Sequence, residues 1–240
     1  MKRLIIIPTF NEAENIKVII PRIFKHIQGT SILVVDDGSP DGTAEIVREL
    51  QSEYSNLFLE QRKSKSGLGS AYRFGFRWGL DRGFEDLIEM DADLSHRVRD
   101  LAKMIKHKDA DSNIGLVIGS RWKKGGSTIN WSKRREFLSR TANLYVRFML
   151  GMGVNDSTAG FRIYSANLLK KISLDAIKSE GYSFQIEMTR AARATGAKIV
   201  EVPITFRERE SGVSKMSGSI VREAMHLVTL WGLKRFFRLK

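Results

Sequence analysis

Short apolar runs alternate with amphipathic, helix-like stretches along much of this chain, and this alternation narrows the choice of fold more than any other feature. The runs that we interpret as strands are residues 2–7, 31–35, 56–59, 84–90, 115–119 and 198–202. Strands that alternate with helices favour a mostly parallel sheet with helices on both faces. Because the pattern continues through the last of these runs, we place no domain boundary before about residue 205.

Acidic residues follow three of the predicted strands. Glu12 comes after the first strand, Asp36 and Asp37 come after the second, and Asp91 and Asp93 come directly after the fourth. Ligands of open α/β sheets bind beyond the carboxyl ends of the strands, so we expect these carboxylates to converge there. Mg²⁺ and Mn²⁺ are often held by one or two carboxylates together with phosphate oxygens of a substrate. The last pair is therefore a candidate clamp for a metal and a diphosphate.

The tripeptide Asp-Ala-Asp occurs a second time, and this copy serves as an internal comparison. Asp109-Ala110-Asp111 follows a helix-like stretch at 101–108 and precedes the next predicted strand. We interpret the second copy as a solvated loop. For the first copy taken alone, the alternative to a metal site is a plain turn at the end of a strand.

Composition excludes several classes of protein. An apolar share of 42% and a charged share of 28% are typical of a globular chain rather than a disordered one. The absence of cysteine excludes disulfides, thiol nucleophiles and Cys-ligated zinc. No apolar run approaches the roughly 20 residues of a membrane span, and Met1 leads directly into a strand rather than a signal peptide. The net charge of +13 fits nucleic acid, an anionic membrane, phosphate-bearing substrates or simply a solvated basic surface.

Two predicted helix starts follow the first and third strands, and the second of them is a candidate phosphate site. After the first strand, which Pro8 is expected to end, Asn11 is a plausible N-cap for a helix whose apolar face is formed by Ile16, Ile19, Ile20 and Ile23. The basic, glycine-bearing loop at 63–72 leads into a helix at 71–80, and a helix N-terminus beside lysines suits a phosphate. The alternative for this loop is a flexible connection with a cap. Neither the G-x-G-x-x-G fingerprint nor a P-loop motif is present.

Taken together, the motifs of this chain resemble glycosyltransferase family 2 with the GT-A fold, and more narrowly the dolichyl-phosphate (polyprenyl-phosphate) mannose synthases. The resemblance runs from about residue 4 to 220, in order and at family spacing. The main segments are 8–12 (Pro-Thr-Phe-Asn-Glu), 35–43 (Val-Asp-Asp-Gly-Ser-Pro-Asp-Gly-Thr), 67–72 (Gly-Leu-Gly-Ser-Ala-Tyr), 90–96 (Met-Asp-Ala-Asp-Leu-Ser-His) and 181–188 (Gly-Tyr-Ser-Phe-Gln-Ile-Glu-Met). Further matches are 119–121, 133–135, 139–143, 156–158, 161–164, 202–204 and 214–215.

The resemblance implies roles for individual residues. The residues that would hold the base and ribose of a nucleotide are Pro8, Phe10, Glu12, Val35 and Asp37. Those that would line the diphosphate are Asp91, Ala92 and Asp93, of which Asp91 and Asp93 would bind Mn or Mg. Asp91 and Asp93 would also be catalytic residues. The basic residues that would join them and bind phosphate groups are Arg121, Arg135, Arg209 and Lys215. Each of these four could instead be a solvated surface residue.

The resemblance also implies a reaction: inverting, metal-dependent transfer of a hexose from a nucleotide diphosphate sugar to a polyprenyl (dolichyl) monophosphate. The donor favoured is GDP-mannose; UDP-glucose and a UDP-N-acetylhexosamine are the alternatives, because nothing in the motifs reads the sugar directly. A role for Asp156 or Glu187 as base or orienting group stays open. A non-catalytic nucleic-acid-binding protein is the distant alternative, and the acidic strand ends argue against it.

Three positions depart from the family pattern. Ser95 stands where members have a metal-reaching Gln, and Ala159-Gly160 replaces a Gly-Ser or Ser-Gly pair. The sequence at 210–213, before Ser214-Lys215, also differs in the loop that should close over the donor and the acceptor. The departure in this loop bears on the sugar preference more than on the class of reaction.

The C-terminal stretch, residues 220–240, interleaves apolar and aromatic residues with Arg, Lys and His. A basic amphipathic helix of this kind can lie in an anionic membrane interface without spanning it, and the alternative is a helix packed on the core. We therefore divide the chain into a GT-A domain at 1–219 and a membrane-interfacial helix at 220–240. The expected location is peripheral, on the cytoplasmic face of a membrane, and the need for a membrane-anchoring subunit stays open.

Overall fold

Nine strands and eight helices are present in the residues that this computed structural model describes, 2–208 and 218–237. The strands are β1 (Arg3–Thr9), β2 (Thr30–Asp36), β3 (Leu57–Gln61), β4 (Asp86–Glu89), β5 (Ile114–Ser120), β6 (Ser127–Ile129), β7 (Arg162–Ser165), β8 (Lys198–Pro203) and β9 (Thr205–Arg207). The helices are α1 (Ala13–His26), α2 (Thr43–Gln51), α3 (Leu68–Asp81), α4 (Val98–Asp109), α5 (Lys133–Leu150), α6 (Ala166–Lys171), α7 (Gly181–Ala194) and α8 (Gly218–Phe236).

The main sheet has the strand order β3-β2-β1-β4-β7-β5-β8 within the described residues. Its pairs are parallel except for the two that β7 makes with β4 and β5. Alternate residues of β1 belong to two separate cores: Leu4 and Ile6 pack on one face of the sheet, and Ile5 and Ile7 pack on the other. Helices cover both faces of the sheet here, which is why β1 is apolar from Leu4 to Pro8. The predicted α/β architecture is confirmed.

The first strand and the first helix differ from the prediction at their junction. β1 continues through Pro8 to Thr9, which pairs with Asp36 of β2. Pairing with β4 stops at Ile6, so beyond that residue β1 has a strand partner on one side only, a position where proline is tolerated. Asn11 is not the N-cap: its backbone is left-handed (φ +57°), and α1 begins at Ala13 after Glu12.

Strand β7 was not predicted, and it shapes the site. It enters the sheet between β4 and β5, and its first residue, Arg162, is completely buried. The Arg162 guanidinium donates hydrogen bonds to the main-chain carbonyls of Ala159, Ser157 and Gln185, at 2.7, 2.8 and 2.9 Å. Arg162 therefore ties the loop before β7 to α7.

Helix α8 packs against α5 and α7. Val228 and Trp231 of α8 contact the cluster formed by Val146, Met149 and Ile186. One face of the predicted C-terminal helix is thus packed on the core, while Leu230, Leu233 and Phe236, among others, are exposed. No helix in the described ranges is long and apolar enough to cross a bilayer.

Candidate active site

A cleft of about 390 Å³ opens at the carboxyl ends of β1, β4 and β5. Pro8 and Glu12 reach it from β1, the residues after β4 form its floor, and Gly119 and Arg121 come from β5 and its end. The loop before β7 and the N-terminal ends of α5 and α7 complete its walls. This is the sheet edge at which the sequence predicted that the acidic residues converge.

Most of the predicted site residues line this one cleft. They are Pro8, Glu12, Asp91, Ala92, Asp93, Arg121 and Arg135. Val35 is completely buried in the core, so in this conformation it can support the site from beneath but cannot contact a ligand directly. Arg209 and Lys215 lie outside the described residues.

The acidic turn after β2 is held by its own hydrogen bonds. Asp36 accepts from the Thr9 hydroxyl at 2.9 Å and from the main-chain N–H groups of Gly38 and Ser39 at 3.1 and 3.0 Å. Asp37 accepts from the Arg62 Nε at 2.5 Å and from the Ser66 amide at 3.2 Å. Asp37 thereby anchors the basic loop before α3. Within this loop, the Lys65 ammonium lies 4.7 Å from the centre of the Phe10 ring.

The N-terminus of α3, which the sequence offered as a phosphate site, holds a carboxylate of the chain itself. Glu180 Oε2 accepts from the amides of Gly69 and Ser70 at 2.7 and 3.3 Å, and Glu180 Oε1 accepts from Arg73 at 2.9 Å. The positive end of the helix therefore fixes the segment before α7. In this conformation the phosphate interpretation of this helix end is wrong.

Asp91 and Asp93 are held differently at the end of β4. The Tyr72 hydroxyl donates to Asp91 Oδ1 at 3.3 Å, and His96 Nε2 lies 3.6 Å from Asp91 Oδ2. Asp93 Oδ1 accepts from the Ser95 main-chain N–H at 3.1 Å. Burial, and then the charge of Asp91, raise the pKa of Tyr72 well above its usual value, so this phenol stays a hydrogen-bond donor.

The surroundings of Asp91 fit a divalent cation shared with a substrate. Among the described residues, no three His, Cys, Asp or Glu side chains gather closely enough to hold a metal alone. Mg²⁺ and Mn²⁺ often complete their coordination with substrate phosphates, so two carboxylates suffice. The buried His96 ring has no hydrogen-bond partner on either nitrogen, although one nitrogen faces Asp91. Such orphaned polar atoms beside a cleft carboxylate fit a site completed by a ligand.

Arg121 is oriented by Asp156. The Arg121 Nε and Nη2 atoms donate to the two Asp156 oxygens at 2.7 and 2.6 Å, and Nη2 also donates to the Thr158 hydroxyl at 2.9 Å. Although burial disfavours the charged guanidinium, Asp156 raises the pKa of Arg121 above its usual value. Asp156 is fully buried in this pair, which fits an orienting group better than a general base. Glu187, the other residue considered as a base or orienting group, accepts from the Ser179 amide at 3.1 Å.

Arg135 reaches the cleft from the first turn of α5. Its guanidinium pairs with Glu208 and lies 4.1 Å from the centre of the Trp131 ring. Arg121 and Arg135 both flank Trp131, so two cations share one aromatic wall of the cleft.

Several cleft residues received no individual role from the sequence. Gln185 lines the cleft, and its Nε2 donates to Glu89 Oε2 at 2.8 Å. Burial raises the pKa of Glu89 from 4.5 to about 8. The positive charge of Arg162, the next largest influence, acts in the opposite direction and lowers this pKa. A carboxylate inside the apolar run at 84–90 was a readable signal for such a buried group. His96 and Tyr182 also line the cleft and stand inside matched segments.

Comparison with known proteins gives consistent results. The family described as "Glycosyl transferase family 2" matches residues 4–173. The polyprenol monophosphomannose synthase of Mycolicibacterium smegmatis is 50% identical over 97% of this chain and 88% of its own length. The undecaprenyl-phosphate mannosyltransferase of Micrococcus luteus is 48% identical over 97% of this chain and 95% of its own.

Solved structures show the fold. A mannosyltransferase of Pyrobaculum calidifontis, in complex with GDP-Man and Mn²⁺, matches with a TM-score of 0.62 and 18% identity over 99% of this chain and 64% of that one. Glucosyl-3-phosphoglycerate synthase of Mycobacterium tuberculosis, in complex with UDP, matches with a TM-score of 0.66 and 17% identity over 96% of this chain and 80% of that one. The predicted GT-A fold is confirmed.

Proposed function

The chain belongs to glycosyltransferase family 2, and from this premise we propose that it transfers mannose from GDP-mannose to a polyprenyl monophosphate, with inversion. Two relatives at 50% and 48% identity, each matched over 97% of this chain, carry names of polyprenyl-phosphate mannosyl transfer. The observation that carries the proposal is the cleft itself. Asp91 and Asp93 face the same space as Arg121 and Arg135. That combination suits a diphosphate donor and a phosphate acceptor.

In this proposal, Asp91 and Asp93 hold a divalent cation, Mn²⁺ or Mg²⁺. When bound, such a cation offsets the charge that grows on the leaving diphosphate. The hydrogen bond from the Tyr72 hydroxyl orients the Asp91 carboxylate, and His96 Nε2 lies 3.6 Å from its other oxygen. Pro8, Phe10, Glu12 and Asp37 lie along the ends of β1 and β2, and we assign them to the nucleoside, with Val35 packed beneath them.

The acceptor needs positioning rather than deprotonation. A phosphate monoester has a second pKa near 6, so it is largely dianionic at neutral pH. Its oxygen attacks the anomeric carbon as the bond to the diphosphate breaks, which inverts the configuration and gives a β-linked product from an α-linked donor. Arg121, oriented by Asp156, and Arg135 bind phosphate oxygens in this scheme. Arg209 and Lys215, outside the described residues, are assigned the same task.

We also propose a peripheral location on the cytoplasmic face of a membrane, since the acceptor is a lipid. The division into a catalytic domain at 1–219 and an interfacial helix at 220–240 belongs to this proposal, and a membrane-anchoring subunit is compatible with it. A nucleic-acid ligand is disfavoured because carboxylates line the cleft, where a phosphate backbone would meet repulsion.

A donor screen tests the reaction. Purified protein, Mn²⁺ or Mg²⁺ and a short polyprenyl phosphate are mixed separately with GDP-mannose, UDP-glucose and UDP-N-acetylglucosamine, and glycolipid formation is measured. We expect product with GDP-mannose only, and its loss when the cation is chelated. Product with a UDP-sugar alone would overturn the assignment of mannose while retaining the mechanism. Undiminished product after chelation would overturn the role of the metal.

A further inference from the structure

Gln185, near the start of α7, has an amide group that the fold uses only in part. Its Nε2 atom donates to Glu89 Oε2 at 2.8 Å, whereas its Oε1 atom is buried and accepts from none of the residues that the structure describes. An amide nitrogen carries two hydrogens, so a second N–H is left to donate. Gln185 is 2% exposed and yet lines the cleft. The unused N–H is therefore a candidate contact for a ligand.

The orientation of this amide depends on Glu89. The main-chain carbonyl of Gln185 is fixed separately, because it accepts from Arg162 Nη1 at 2.9 Å and from the Thr189 hydroxyl at 2.8 Å. Across the described ranges, however, the bond to Glu89 is the one hydrogen bond that the side-chain amide makes. Since Glu89 is completely buried at the end of β4, it supplies a rigid support for the amide.

The amide lies beside the Asp91 carboxylate. A β-carbon at position 160 would lie 3.7 Å from Gln185 Nε2 and 4.0 Å from Asp91 Oδ2. Residue 160 is a glycine, so the space between these two groups is left open on the side of the loop before β7. Gly160, Gln185 and Asp91 all line the cleft.

A hydroxyl of the donor sugar is the group that suits this space. In the proposed function Asp91 holds the cation at the diphosphate, and the sugar is bonded directly to that diphosphate. Phosphate oxygens suit the charged guanidinium groups of the cleft, whereas a neutral amide suits a neutral hydroxyl, whose oxygen accepts from an N–H. A few polar groups placed in this way orient a ligand and make its pocket selective.

We propose that Glu89 is a positioning residue for the donor sugar: it holds the Gln185 amide so that the second N–H donates to a hydroxyl of the transferred hexose. Glu89 acts only through Gln185, because it is completely buried. The inference rests on the proposed function and deepens it by identifying a pair of residues that recognises the sugar.

Deoxy-sugar donors test this contact. The donor from the screen, GDP-mannose in the proposed function, is compared with analogues that each lack one sugar hydroxyl, and kcat and KM are measured. Gln185→Met removes the amide, Glu89→Met removes the acceptor behind it, and Glu89→Gln keeps an acceptor oxygen. The matched control, Thr189→Val, removes a buried hydrogen bond to the main chain of the same glutamine.

For the wild type, we expect one analogue to lose at least about tenfold in kcat/KM, because it leaves the amide N–H unpaired. Gln185→Met and Glu89→Met should lose about tenfold with the complete donor and should no longer discriminate against that analogue. Glu89→Gln should stay within about threefold of the wild type and keep the discrimination. Thr189→Val should change the values for all donors by one common factor, as a structural role requires.

Glu89→Asp provides a second test if Glu89→Met is too unstable to purify. Its shorter side chain withdraws the acceptor from Gln185 but keeps a carboxyl group near Arg162, and it should also abolish the discrimination. Variants of Gln185 or Glu89 that discriminate as the wild type does, or that lower the values for all donors equally, would refute the inference. So would a wild type that accepts every analogue as well as the complete donor. In each of these cases transfer by the wild type still supports the proposed function, so the two ideas fail separately.

Discussion

The two Asp-Ala-Asp tripeptides of this chain are identical in sequence and lie at opposite edges of the same sheet. Asp91 and Asp93 follow β4 at its carboxyl end and line the cleft. Asp109 ends α4 and Asp111 precedes β5, so the second copy lies where a parallel strand begins. Ligands bind at the carboxyl edge of such sheets, and position therefore separates the two copies.

The partners of the two copies differ as well. Asp109 pairs with Arg3, the first residue of β1, and Asp111 accepts from Lys198, the first residue of β8, at 2.7 Å. The second copy thus ties strand ends together through ion pairs. Asp91 instead contacts a buried phenol and an imidazole beside an open cleft. The comparison teaches that the chemistry of the tripeptide is set by the strand end on which it stands.

Alanine substitution in each copy gives the largest expected difference. Asp91→Ala should lower the rate of glycolipid formation by about 10³-fold or more, because it removes half of the carboxylate pair at the diphosphate. Asp109→Ala, the matched control, should stay within about twofold of the wild type because exposed ion pairs contribute little. Initial rates with GDP-mannose measure both effects, and thermal unfolding verifies both folds. Near-normal activity of Asp91→Ala would contradict the mechanism.

A smaller but distinct effect is expected from Glu89, two residues before the first copy. Its pKa is raised from 4.5 to about 8 by burial, so its contribution to stability is complete below pH 4.5 and is lost as the pH rises towards 8. Glu89→Gln should remove this loss because glutamine does not ionise. The difference in free energy of unfolding between the variant and the wild type should therefore increase by a few kcal/mol, in favour of the variant, from pH 5 to pH 8. Denaturant unfolding at several pH values, with a chelator present, measures this.

The control for this pH dependence comes from the second copy. A hydrogen bond from Lys198 lowers the pKa of Asp111, so its contribution to stability is already complete above pH 3.8. Asp111→Asn should therefore shift stability by the same small amount at every pH from 5 to 8. Parallel stability curves for Glu89→Gln and the wild type would show that Glu89 is ionised in the folded protein.

Local patterns were sufficient to predict much of the fold. The buried face of α1, formed by Ile16, Ile19, Ile20 and Ile23, agrees with the prediction because it depends on the spacing of neighbouring residues. Glu12, Asp91 and Asp93 line one cleft as predicted, since parallel order places the carboxyl ends of strands at one edge, whereas Asp36 and Asp37 lie outside its lining. β7 was missed because nothing in a four-residue strand indicates that it pairs antiparallel between two distant strands.

The features of the site that could not be predicted from the sequence depend on contacts between distant segments of the chain. Glu180 is 111 residues from the amide of Gly69 that it binds, so the filled end of α3 had no local signal. The pairing of Arg121 with Asp156 likewise joins separate loops.

The smallest of the expected effects is a change in cation affinity. It distinguishes the two tripeptides most directly, because binding is measured without catalysis. Asp93→Asn should weaken Mn²⁺ binding in the presence of GDP by about tenfold or more, because a neutral amide replaces one of the two carboxylates. Asp111→Asn makes the same chemical change in the second copy and should leave the affinity unchanged. Electron paramagnetic resonance of free Mn²⁺ measures both. If the two variants lost affinity equally, a general acidic surface rather than the end of β4 would be binding the cation. If neither lost it, the carboxylates at the end of β4 would not be metal ligands, and the cleft would have to bind a diphosphate through its arginines alone.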